Sequence, residues 1–214
     1  MPPLEFTVSH VTCKEDFPAV VMVEKAAFGE WQTMNLMFPP NPSTPENFAT
    51  TVRNHEKAWS TSPNAKYLKA ARPDGKIIGM AKWHLFLDPA STENPWDVEL
   101  PPTANIALYN RFFGDLNAVR VKWLGGKRHI LMAILAVDPE YQRMGVGHEL
   151  LRWGLDLADE EQVETWIDAS AAGHPLYKQF GWEDVGKVDI DLGPWGGEPK
   201  VSSVINMIRP PKTK

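Results

Sequence analysis

HILMAILAVDPEYQRMGVGHELLRWG, residues 129–154, decides how this chain is read. Its first nine residues form the most apolar run in the sequence, the pattern of a strand covered on both faces in the middle of a sheet. A polar loop with Pro139 follows, then Gly145 and Gly147. Beyond the glycines, Val146, Leu150, Leu151, Leu155 and Ala158 fall on one helical face, opposite Glu149, Arg152, Asp156 and Asp159. A strand that feeds a glycine-containing loop into a helix leaves several backbone N–H groups unpaired at the helix start. They point the same way, and the aligned peptide dipoles add partial positive charge there. Phosphate or pyrophosphate is the expected guest, because glycine lets backbone approach it without an intervening Cβ.

Outward from this junction, both directions read as alternating strands and helices. FTVSHVT (6–12) alternates like a strand, and DFPAVVMVEKAAFG (16–29) is a helix with Pro18 in its first turn and Gly29 at its end. FPPNPSTP (38–45) is a loop, after which Thr44 caps a helix running from Pro45 to about Trp59. Residues 65–72 and 77–87 flank Pro73-Asp74-Gly75-Lys76 as a β-hairpin. Residues 88–104 are proline-rich and acidic and belong to no regular element; a helix from about Asn105 to Trp123 follows. Downstream, 163–170 is a strand, 174–182 holds a short helix, and 187–192 and 200–208 are strands. The order is βααββ, an insertion, then βαβαββ. A single α/β or α+β domain over 1–214 with a mixed sheet is expected, with an insertion at about 88–124.

Three phosphate motifs compete for the junction. The P-loop of nucleoside triphosphatases needs Lys and Ser or Thr after its last glycine, where this chain has His148 and Glu149. The dinucleotide fingerprint needs a third small residue where Leu150 stands, and a glycine directly after the strand. The third fits. Leu135-x-Val137-x-Pro139-x-x-Gln142-Arg143-x-Gly145-x-Gly147 resembles the acetyl-CoA motif of the GNAT superfamily of N-acetyltransferases. A second segment, Ser170 to Trp182, resembles that family's later motif: Leu176, Tyr177 and Gly181 match, while Ser170 replaces an Asn, Gly173 an Ala and Trp182 a Phe. The order of elements fits the family across nearly the whole chain, and the ending is most similar to fungal-type members.

The resemblance implies a mixed central β-sheet with helices on both faces, and acetyl-CoA as co-substrate with no metal. It places the pantetheine arm along the backbone of Leu135, Ala136 and Val137, between strands 129–137 and 163–170, which splay apart. The N–H groups of Arg143, Met144, Gly145, Val146 and Gly147 would meet the pyrophosphate, and Gln142, Ser170 and Tyr177 complete the cofactor-binding set. Tyr177 stands where the family places the acid that protonates the departing thiolate. For the base that frees the attacking amine, His84 is the leading choice, with Glu24, His129 and Asp168 left open. Trp31, Trp96 and Trp123 lie in or beside loops, where they wall an acceptor pocket or pack as core.

Composition bounds the function. With 43% apolar and 23% charged residues the chain is globular. A formal charge of −5 argues against a nucleic-acid partner. No stretch is apolar and long enough for a bilayer, so no membrane partner is expected. The single cysteine, Cys13, allows no intramolecular disulfide and no cysteine metal cluster. The opening MPPLEFTVSH lacks a basic and then apolar profile, so a reducing, cytoplasmic location is expected. Transfer of acetyl from coenzyme A thioester to a primary amine by direct attack in a ternary complex leads the readings. A non-catalytic acyl-CoA-binding sensor is the alternative from another class, and a nucleotide-binding oxidoreductase trails both. The family is often dimeric, so a homodimer is an open expectation.

Overall fold

The computed structural model of the protein describes residues 4–41 and 43–212. In chain order the elements are β1 (Thr7–His10), α1 (Phe17–Phe28), α2 (Gln32–Met37), α3 (Pro45–Thr61), β2 (Ala65–Ala71), β3 (Ile77–Phe86), α4 (Ile106–Leu124), β4 (His129–Val137), α5 (Val146–Glu161), β5 (Glu164–Ala169), α6 (His174–Gln179), β6 (Glu183–Asp191) and β7 (Val201–Arg209). Side-chain caps set two of the helix starts. Thr44 Oγ1 accepts from the Asn47 N–H at 3.1 Å ahead of Pro45, and Asn105 Oδ1 accepts from Leu108 N–H at 3.1 Å.

Seven strands form one sheet in the order β1-β2-β3-β4-β5-β7-β6. Every neighbouring pair is antiparallel except β4 and β5, which run parallel. That one parallel contact is short: it joins His129–Met132 to Glu164–Ile167 and stops there, although β4 continues to Val137. On its other side β4 stays paired with β3 as far as Val137↔Gly79. The register between them shifts at Lys82/Trp83, which pair with Ile134 and Met132, so Ala133 is an extra residue in β4. Such a bulge bends a strand and adds twist, and here it sits where β4 leaves β5.

Helices cover both faces, as the mixed α/β reading expects. On one face α5 and α6 pack over Trp83, Ile130, Met132, Ile167 and Met207. Two close approaches fix α5 there. A Cβ on Gly154 would lie 2.3 Å from the Trp83 ring, and one on Gly79 would lie 2.7 Å from Val146. On the other face α1 and α3 close over Tyr67, Met80 and Ala136, while α2 and α4 close over Ile190, Leu192 and Val204.

Three expectations need correction. α2 was not legible, because QTMNLM is too short for a helical period to show. β6 begins at Glu183 rather than at 187, since its first residues EDVG are polar and gain their strand geometry from pairing with β7. The idea that 129–137 is covered on both faces holds for His129–Met132, whereas Ala133, Ile134, Leu135 and Val137 are half-buried. That second half is the part that β5 no longer pairs.

Candidate active site

Where β4 and β5 part, the edge of β4 from Ala133 to Val137 faces no strand on the β5 side. An extended ligand can therefore add along it as a strand would. One acceptor is already taken: Gln142 Nε2 donates to the Val137 carbonyl at 3.0 Å. The side chain of Gln142 thus closes the loop after β4.

The loop then turns left-handed twice, at Arg143 (φ 64°) and Gly145 (φ 89°). A left-handed residue aims successive N–H groups into one concavity, which attracts anions. The first intrahelical bond of α5 runs from Glu149 N–H to the Gly145 carbonyl, and among the described residues the N–H groups from Arg143 to His148 find no backbone acceptor. The two glycines differ in purpose. Nothing would touch a Cβ on Gly145, which is needed for its positive φ and for the open space before it; a Cβ on Gly147 would press Leu176 Cδ2 at 3.3 Å, beside Val137 and Leu135. Arg143 and Met144 are exposed.

Tyr177 stands on α6, on the same side of the sheet as this loop. It is buried, its ring meets Trp182 edge-on at 5.6 Å, and its hydroxyl end lies against Gly173. Burial alone pushes its pKa well up, so the phenol keeps its proton at neutral pH. The Ser170 hydroxyl accepts from the Gly173 N–H at 3.3 Å and so shapes the turn into α6.

The opposite face, under α1 and α4, is where the ionisable groups gather. Lys82 and His84 of β3 point to this side with Met80 and Phe86, and Asp168 of β5 stands beside Asn206 of β7. Asp168 Oδ1 accepts from Asn206 Nδ2 at 2.7 Å and from Trp166 Nε1 at 3.0 Å. Its carboxyl is raised to about 6 by desolvation, against the pull of those bonds and of Arg120. At that value it is ionised at neutral pH, and the residue is half-buried.

His84 is 2% exposed and burial lowers its pKa to about 4. Its Nε2 lies 3.2 Å from Glu93 Oε2 but out of line for a hydrogen bond. Glu93, from the 88–104 loop, accepts from Asn64 Nδ2 at 2.8 Å. His129 is also buried and lowered to about 4. The Arg120 guanidinium can only donate, so His129 Nε2, 2.8 Å from Arg120 Nη1, accepts; Nδ1 then carries the proton and donates to the Lys127 carbonyl at 2.8 Å. His129 is thereby a neutral structural imidazole. Glu24 sits with His55, Oε2 to Nε2 at 2.7 Å, and His55 Nδ1 is 3.0 Å from the Tyr67 hydroxyl.

Residues 30–182 match the Acetyltransferase (GNAT) family, well over half of the chain. The protein belongs to the GNAT family. It is 25% identical over 195 residues to a protein named "Acetyltransferase" from the fungus Stachybotrys chartarum, covering 86% of this chain and 84% of that one. Solved structures with the same fold include a histone acetyltransferase HPA2 and related acetyltransferase from Corynebacterium glutamicum, with a TM-score of 0.63 at 19% identity and 99% of each chain covered. A mosquito arylalkylamine N-acetyltransferase like 5b gives a TM-score of 0.63 at 14% identity, over 96% of this chain and 100% of that one. The ribosomal-protein-S18-alanine N-acetyltransferase of Escherichia coli gives 0.58 at 18% identity, over 98% and 96%. Family membership makes this GNAT protein an acyltransferase, and its family uses acetyl-CoA. No helix among the described residues is long and apolar enough to cross a membrane, and no group of His, Cys, Asp or Glu there is arranged for a metal ion.

Two of the loop tryptophans are packed. Trp31 meets Phe112 edge-on at 5.7 Å, and Trp96 stacks on Phe113 at 4.6 Å while its carbonyl accepts from the Tyr109 hydroxyl at 2.6 Å. Trp123 stays exposed at the end of α4. Sequence reasoning missed Lys82, Glu93, Arg120 and Asn206. A signal existed for the first: two basic residues, Lys82 and His84, at strand spacing inside the otherwise apolar IIGMAKWHLF.

Proposed function

We propose that this GNAT protein transfers acetyl from acetyl-CoA to a primary amine by direct attack in a ternary complex. The observation that carries the reading is the unpaired edge of β4 at Ala133–Val137, leading into a loop of unpaired N–H groups. On this reading the pantetheine arm runs along Leu135, Ala136 and Val137, with its amides on the free strand edge. The pyrophosphate meets the N–H groups of Arg143, Met144, Gly145, Val146 and Gly147, where the start of α5 adds favourable dipole. Gln142 and Ser170 support the site by holding the loop and the turn into α6.

The amine lone pair attacks the thioester carbonyl, the carbon–sulfur bond breaks, and Tyr177 donates its phenolic proton to the leaving thiolate. The amine's own proton needs an acceptor on the opposite face. His84 and Asp168 are the candidates there. Asp168 is the better base, being ionised at neutral pH and only half-buried, whereas His84 is enclosed and holds a proton weakly. A cytoplasmic setting fits this reading and rests on the sequence alone, and a homodimer rests on the family resemblance.

Calorimetric titration with acetyl-CoA, with NAD as control, tests the binding half. Release of free thiol in the presence of an amine panel tests transfer. Absence of acetyl-CoA binding would remove the reading, and binding without thiol release for any amine would leave an acyl-CoA sensor.

A further inference from the structure

Lys82 has no part in the chemistry just described, yet it lies level with the fork where β4 and β5 part. It pairs across β3–β4 with Ile134, the residue after the Ala133 bulge, at the level where β4 leaves β5. The residue is 5% exposed and shares its face with Asp168, two strands away. Two strand spacings are roughly 10 Å, so the groups flank the opening from either side.

Burying an ammonium without a counter-ion is costly, and folded chains normally supply one. Here the carboxylates that act on Lys82 are engaged elsewhere, Glu24 with His55 and Glu93 with Asn64. Lys82 closes no ion pair with any described residue; its nearest partner is the Tyr67 ring, 5.7 Å away. Burial holds its pKa down at about 8 despite Glu24 and Glu93. Arg120, the other buried cation on this face, also has no carboxylate partner, bonding His129 and Asn117 instead.

We infer that the amine acceptor carries a carboxylate, and that Lys82 binds it while Asp168 faces the amine. The site then takes an amino-acid-type zwitterion, each end of which meets the opposite charge across the fork. This rests on the acetyl-transfer reading above and adds the class of acceptor to it.

The test uses matched amines that differ only in the carboxylate: phenylalanine against phenethylamine, leucine against isoamylamine, lysine against cadaverine. Thiol release is followed for the native protein, Lys82→Met and Lys82→Arg. In at least one pair the amino acid is expected to have kcat/KM higher by about tenfold or more, the scale of one charge-assisted hydrogen bond. Lys82→Met should bring that ratio towards one by raising KM for the amino acid, and Lys82→Arg should keep most of it. Equal or better use of the decarboxylated member in every pair overturns the inference, as does a ratio that Lys82→Met leaves intact. The same pairs titrated calorimetrically into the protein–coenzyme A complex decide the matter even when turnover is nil, because equal binding within every pair also overturns it. Loss of acetyl-CoA binding itself would sink the transfer reading instead, so the two failures are distinguishable.

Discussion

The two faces of the sheet are built on opposite principles. Under α5 and α6 the sheet is apolar and tightly keyed, with glycines admitting Trp83 and Val146 at distances no side chain would allow. Under α1 and α4 a seam of ionisable groups runs across the strands: Glu24, Lys82, His84, Glu93, Arg120, His129 and Asp168. The first arrangement holds a loop of N–H groups still, which is what recognition of an anion by backbone requires. The second encloses several groups whose charge is suppressed or left unmatched, Lys82, His84, Arg120, His129 and Asp168 among them, which packing alone does not need. The fork between β4 and β5 lies between the two faces.

The sharpest division of labour concerns the acid. Tyr177→Phe should lower kcat by about a hundredfold, the usual scale for a lost general acid, and leave acetyl-CoA affinity unchanged. Steady-state kinetics beside calorimetry reads both, and equal turnover of the two proteins would break the assignment.

On the ionisable face, Asp168→Asn should lower turnover by about tenfold or more. It should also abolish an acidic limb of the kcat/KM profile centred near the carboxyl's value of about 6. Stability gives an independent check. The folded pKa of Asp168 lies above its ordinary 3.8, so its contribution is present below about 4 and is lost as pH rises through about 6. His84 and His129 work the other way, since folded values of about 4 lie below 6.5. Their contribution is present above 6.5 and is lost as pH falls through about 4. Denaturant midpoints taken across this window should show Asp168→Asn keeping the histidine-linked fall in acid while losing the opposing change.

On the apolar face the expected change is in packing. Gly154→Ala forces a Cβ into the Trp83 ring, and overpacking of this kind costs about 1–3 kcal/mol, less some gain in helix propensity. A fall of a few degrees in Tm is expected, with the pH profile retained. The smallest effect belongs to the loop. Gly145→Ala meets no atom, but its φ of 89° strains any L side chain by about 1 kcal/mol, so acetyl-CoA affinity should weaken about fivefold. An unchanged dissociation constant would mean that the loop bends freely and that the left-handed turn is not part of recognition.

Much of the fold was legible because it is written locally. The bounds of β4 coincide with the apolar run, all five residues assigned to the buried face of α5 are buried, and Thr44 caps α3. Helical and strand periods need only a dozen neighbouring residues to show themselves, and α2 and the start of β6 lack that length or that contrast. Asp159, which the helical period puts on the polar face of α5, receives two 2.8 Å bonds from the buried Arg209 of β7. Pairing of this kind depends on which strand lies beside the helix, and charge patterns along one segment do not contain it.

The sequence by itself determined the junction from 129 to 154, the glycines, Tyr177 and the family they belong to, because each is a run of residues whose chemistry is set by near neighbours. Tertiary structure alone decided that β4 leaves β5 at the Ala133 bulge, that Gln142 turns back on Val137, and that Lys82, Asp168 and Asn206 meet on one face. Those depend on strand order and register, which bring together residues far apart in the chain. A pKa or an unmatched charge exists only once that enclosure has been made.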